Sequence, residues 1–141
     1  MKKKLNCILL IDDDEATNFF NNIILEEIDC AHHIKIKQTA RAALNYLVDS
    51  GQLNDRQNGL PFPDLIFLDI NMPAMNGWEF LAKFDGIKDS LPKAPVIVML
   101  STSINPDDKL KSDNTPHIAE FFNKPITPIM VTSIINKYFP V

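Results

Sequence analysis

The sequence predicts an α/β domain, a doubly wound parallel sheet of five strands flanked by five helices, and three observations support it. The short apolar runs "NCILLID", "LIFLD" and "VIVML" have the form of strands covered on both faces, as in a parallel sheet. Stretches with apolar residues at helical intervals alternate with such runs. The length, 141 residues, suits one compact domain that buries roughly two-thirds of its unfolded surface.

The elements follow in order. "NCILLID" is the first strand. From Thr17 the period changes, with Phe19, Phe20, Ile23, Ile24 and Ile28 at helical spacing, Asp14 as N-cap and Glu15 in the first turn. "HIKIKQ" alternates isoleucine with lysine and reads as a strand near the sheet edge. Ala40 to Val48 returns to helical spacing, and Gly51 stops it. Residues 51–63 are rich in Asn, Asp, Gln, Gly and Pro and form a long loop.

"LIFLD" is the third strand, Trp78 to Phe84 the third helix, and Val96 to Leu100 the fourth strand after Pro95. Ile104 to Thr115 is mostly polar and predicts a short fourth helix. Ala119 to Phe122 is the fifth strand. Thr127 to Tyr138 is the last helix, with Pro128 in its first turn. Residues 1–141 are expected to form a single domain, with nothing left over for an output domain.

Composition excludes several classes. Hydrophobic residues make up 45% and charged residues 23%, as in an ordinary globular protein rather than a disordered tail. A net charge of -4, with Lys2 to Lys4 as the only basic run, argues against a nucleic-acid partner. No apolar run approaches the roughly 18 residues of a membrane span, and Cys7 to Ile11 is too short for a secretory signal. Cys7 and Cys30 lack metal or redox spacing, so a reduced, cytoplasmic protein is expected. His32 and His33 are adjacent on an extended segment and point to opposite faces, which disfavours a shared metal.

In a doubly wound sheet the binding crevice lies at the carboxyl ends of the strands. Here those ends carry Asp12, Asp13 and Asp14, then Asp69, then Ser101, Thr102 and Ser103, and finally Lys124 before Pro125. Two carboxylates about 4 Å apart repel by roughly 4 kcal/mol at an effective dielectric of 20, so the acids call for a counter-ion. An open, all-oxygen site with few direct carboxylates suits Mg²⁺ or Mn²⁺. A metal and Lys124 together would neutralise a transferred phosphoryl group.

"ILLIDDDEA", "LIFLDINMPAMNG", "VIVMLSTS" and "FFNKPIT" resemble, in the right order and across nearly the whole chain, the receiver domain of two-component response regulators. The resemblance implies a flavodoxin-like sheet with strand order 2-1-3-4-5. It implies that Asp69 accepts a phosphoryl group from a phosphohistidine on a sensor histidine kinase or phosphotransfer protein. Asp12 and Asp13 match the acidic pair, and the backbone carbonyl of Asn71 completes the metal ligands. Asp13 and Asp14 are the alternative pair, but the strand end at Ile11 and the capping role of Asp14 favour the first. Lys124 matches the lysine that pairs with the acyl phosphate, through a cis Lys124–Pro125 bond. Ser101 matches the switch hydroxyl and Phe121 the switch aromatic, which lacks the hydroxyl of the commoner Tyr.

Thr102 stands where the family has a smaller side chain, which implies narrower access to the phosphoryl group. Asn71 and Ser103 fall where residues flank the attacking water, and Met72 and Pro73 pass the site in the turn before Gly77. The face of the fourth helix, fifth strand and fifth helix is the expected reader surface for a downstream protein target, and it can also support a homodimer. Two rival readings fit the sequence less well. A haloacid-dehalogenase-like phosphatase needs an acid two residues after the nucleophile, where this chain has Asn71. A pseudo-receiver binding module, never phosphorylated, usually lacks part of the acidic cluster or the lysine, and this chain keeps both.

Overall fold

The computed structural model describes residues 4–52, 59–102 and 105–140. In chain order the elements are β1 (Leu5–Ile11), α1 (Glu15–Ile28), β2 (Ala31–Lys37), α2 (Ala40–Ser50), β3 (Leu65–Asp69), α3 (Gly77–Ile87), β4 (Val96–Ser101), α4 (Pro106–Asp113), β5 (Ile118–Asn123) and α5 (Pro128–Tyr138). The strands pair in the order β2-β1-β3-β4-β5, and every pairing is parallel. The expected topology is present.

β1 and β3 lie inside the sheet, and all their residues except Asn6 are buried. This is why they read as unbroken apolar runs: a helix layer covers each face. On one face, α2 and α3 pack Leu44, Leu47, Phe80 and Phe84 onto Leu9, Ile66 and Met99. On the other, α1 and α5 pack Leu25, Val131 and Ile134 onto Ile8, Leu10 and Phe67. Each such side chain, fully buried, stabilises the fold by about 1.5–3 kcal/mol. β2 is an edge strand, as its Ile/Lys alternation predicts, and lysines discourage further pairing there.

The α1 helix forms where expected, capped by Asp14, whose side chain accepts from Thr17 N. Its inward face differs from the apolar one, however. Asn18, Asn21 and Leu25 are buried, whereas Phe19 is 67% exposed, Phe20 44% and Ile23 38%. α3 begins at Gly77, one residue earlier than the spacing suggests, behind an Asn76–Glu79 capping box. α4 is short, as its polar sequence predicts, and Ser112 is its buried residue; Ile104 lies outside the described residues, as does much of the long loop after Gly51. Among the described residues no helix is long and apolar enough to cross a membrane.

Candidate functional site

Register brings the strand ends together. Ile11 pairs with Leu68, Asp69 with Leu100, and Ser101 with Asn123, so the residues just beyond β1, β3, β4 and β5 share one edge. Asp12 and Asp69 are each 4% exposed, and Ser101 1%. One carboxylate oxygen from each of Asp12, Asp13 and Asp69 lies within 4.8 Å of the others.

Lys124 reaches into this cluster from the end of β5. Its Nζ lies 2.6 Å from Asp12 Oδ2 and 3.0 Å from Asp69 Oδ1. The backbone holds it there, because Lys124 N donates to Ser101 O at 2.7 Å; the Lys124–Pro125 peptide is cis, as expected. Burial pushes the Asp69 carboxyl up to about 6; the Lys124 hydrogen bond opposes the rise and the Asp12 charge adds to it. For Lys124 burial works against the charged form, but the hydrogen bonds and charges of Asp12 and Asp69 outweigh it and raise the ammonium above its ordinary range.

Asp14 is otherwise engaged. Its side chain caps α1, and the Thr17 hydrogen bonds hold its carboxyl below the ordinary range. The three acids that converge are therefore Asp12, Asp13 and Asp69. Their all-oxygen donors, with Asp13 exposed to water, fit a hard divalent cation that keeps part of its hydration shell.

The loop after β3 is built for close approach. Asn71 N donates to Asp69 Oδ1 at 3.3 Å, and Gly77 N donates to Ile70 O at 2.8 Å. A Cβ on Gly77 would stand 2.9 Å from Asp69 O and 3.0 Å from Ile70 Cα, so only glycine lets α3 start against the Asp69 backbone. The Met72 side chain is buried in the core cluster with Phe80 and Met99.

Thr102 is exposed and lines an open groove of about 420 Å³ with Asp14, Thr17, Phe20, Lys124 and Pro125. Phe121 is half-buried, packs against the core beneath α3, and borders a second groove between α4 and β5. Ser103 lies outside the described residues.

Sequence reading passed over Asn18. Its Nδ2 donates to the Asp12 carbonyl at 2.8 Å, while its buried Oδ1 has no partner among the described residues. The available signal was a polar residue on the α1 face that turns toward the strands.

The profile of the response regulator receiver domain matches residues 8–136. Response regulator Rcp1 of Synechocystis sp. is 34% identical over 105 residues, which are 74% of this chain and 67% of that protein. The crystal structure of a two component response regulator from Cytophaga hutchinsonii superposes with a TM-score of 0.80 at 30% identity, covering 96% of this chain and 97% of that one. The bacteriophytochrome response regulator AtBRR gives a TM-score of 0.74 at 27% identity over 94% of this chain and 91% of its own. With profile, sequence relatives and fold in agreement over most of its length, the chain belongs to the response regulator receiver domain family, the phosphorelay signalling domains of two-component systems.

Proposed function

We infer that the chain works as a single-domain response regulator in which Asp69 accepts a phosphoryl group from a phosphohistidine on a sensor histidine kinase or phosphotransfer protein. The observation that carries this reading is the contact of a buried acceptor carboxylate with Lys124 beside two further acids. An Asp69 oxygen attacks phosphorus, the phosphorus–nitrogen bond breaks, and the imidazole nitrogen leaves with the electron pair. Water later attacks the acyl phosphate, which returns the carboxylate and inorganic phosphate.

Asp12, Asp13, Asp69 and the backbone carbonyl of Asn71 would hold Mg²⁺, or Mn²⁺. The metal, when bound, offsets charge on the phosphoryl oxygens. Lys124 supplies the second positive charge at the acceptor oxygen. Ser101, at the end of β4, turns its hydroxyl to the phosphoryl group, and Phe121 follows it inward. The α4–β5–α5 face then changes for a downstream protein target or for a second copy of the chain. Thr102 narrows access to the phosphoryl group, and by the family resemblance Asn71 and Ser103 occupy the sequence positions that flank the attacking water. A cytoplasmic location belongs to the same reading, supported by two buried free cysteines.

The test is intact mass after incubation with acetyl phosphate and Mg²⁺. A single phosphoryl adduct that disappears in Asp69→Asn and in chelator is expected. No adduct on folded protein, beside a control receiver that labels, would leave a binding module that is never phosphorylated.

A further inference from the structure

We propose that Asn18 is a positioning residue for the metal site, holding the Asp12–Asp13 peptide from the first turns of α1. Every polar atom of Asp12 is tied. Its N donates to Lys37 O at 3.2 Å, Oδ1 accepts from Asp14 N at 2.9 Å, and Oδ2 meets Lys124 Nζ at 2.6 Å. The fourth atom, the carbonyl oxygen, accepts from Asn18 Nδ2 at 2.8 Å.

That carbonyl belongs to the peptide whose nitrogen is Asp13's, so the carboxamide sets the plane from which Asp13 departs. Asp13 is the exposed member of the acidic cluster. It therefore depends on its backbone, more than the buried Asp12 and Asp69 do, for a fixed direction. Asn18 is 2% exposed and keeps an Oδ1 in the protein interior with no partner among the described residues, while the apolar Phe19 and Phe20 that follow it on the helix are exposed. Packing alone gives no reason for a carboxamide there; the bond to Asp12 does. Partners of this kind around metal ligands typically change affinity by about 10–100-fold when removed.

Asn21 provides an internal control. It is equally buried, also has an unpartnered Oδ1, and lies one turn further along α1, with no hydrogen bond to Asp12 among the described residues. The inference rests on the proposed Mg²⁺ site.

Calorimetric titration of Mg²⁺ into wild type, Asn18→Leu and Asn21→Leu, with thermal unfolding of each, tests it. Asn18→Leu is expected to fold and to bind Mg²⁺ at least about tenfold more weakly. Asn21→Leu is expected to bind as wild type does. At saturating Mg²⁺, labelling of Asn18→Leu by acetyl phosphate should return toward the wild-type rate, since the residue acts on the ligands and not on the phosphoryl group. Should the leucine variant not fold, Asn18→Ala is read by the same criteria. Unchanged affinity in the Asn18 variant, or equal weakening in both helix variants, overturns the inference alone. A wild-type protein that takes up no Mg²⁺ overturns the proposed function with it.

Discussion

Asp69 is an acid kept at a strand end where burial works against its charge. Its carboxyl is pushed up from 3.8 to about 6, burial being the larger cause. The folded state thus holds a proton over a range where the unfolded chain has released it. Stability from this group is complete below 3.8 and is lost as pH rises through about 6. In chelator, Asp69→Asn should be more stable than wild type by about 2 kcal/mol at pH 8, with the gap closing near pH 4; urea unfolding at both values measures it. Lys124 predicts the opposite sign. Its ammonium bridges Asp12 and Asp69, so Lys124→Met in chelator leaves adjacent acids without a cation and should cost about 3 kcal/mol. Mg²⁺ should then restore more stability to that variant than it adds to wild type, a difference readable in melting curves.

Elements carry these residues to one another, and the approach of α3 to β3 is the tightest. A side chain on Gly77 meets backbone at Asp69 and Ile70, groups that cannot swing aside. Gly77→Ala should therefore cost about 1–3 kcal/mol and slow labelling of Asp69, whereas Gly86→Ala, at a helical position with open space around it, should be neutral or slightly stabilising. α1 borders the proposed route of the donor. Phe20 is 44% exposed and shares the groove of Lys124 and Thr102, through which the proposed phosphohistidine protein would approach. Phe20→Ser should lower transfer from such a protein about tenfold, near the loss of one aromatic anchor, and leave labelling by acetyl phosphate unchanged. The face of this helix was not legible in the sequence. Helical spacing at Phe19, Phe20 and Ile23 reports that a helix forms, but its rotation is set by how the chain leaves β1 through Asp12 and the Asp14 cap. That phase turns Asn18 and Asn21 inward. β1, β3 and β4 were legible because a buried parallel strand has no polar face to confuse the reading, β2 by its isoleucine–lysine alternation, and Asp69 and Lys124 because charge at a strand end is conspicuous. Asn18 was not, since its partner is a backbone carbonyl, which no residue pattern records.

At the scale of the whole molecule, the acidic site and the α4–β5–α5 face belong to one unevenly packed sheet. β1 and β3 are sealed between helix layers, whereas every residue of β5 keeps some exposure and α4 buries only Ser112. Leu110, the single large apolar side chain in that helix, is 63% exposed. α4 is held instead by its Asn105 cap, the Lys109–Asp113 ion pair and Lys111 stacked 4.8 Å from the Trp78 ring centre. Exposed pairs of this kind contribute up to about 1 kcal/mol each, far less than a buried face. Local opening should therefore begin at α4, beside the half-buried Phe121 whose groove it shares. Under the proposed function, a phosphoryl group on Asp69 would act on this loose end through Ser101, since β4 joins the site to β5 by the Ser101–Asn123 pairing and the Lys124–Ser101 hydrogen bond. Saturation with Mg²⁺ and beryllofluoride, a stable stand-in for the phosphoryl group, should change amide hydrogen exchange chiefly in residues 105–123. Exchange in β1 and β3 should stay slow throughout. Uniform slowing over the whole sheet would instead mean that the ligand stabilises the fold globally and that α4 and β5 are not a separately responding unit.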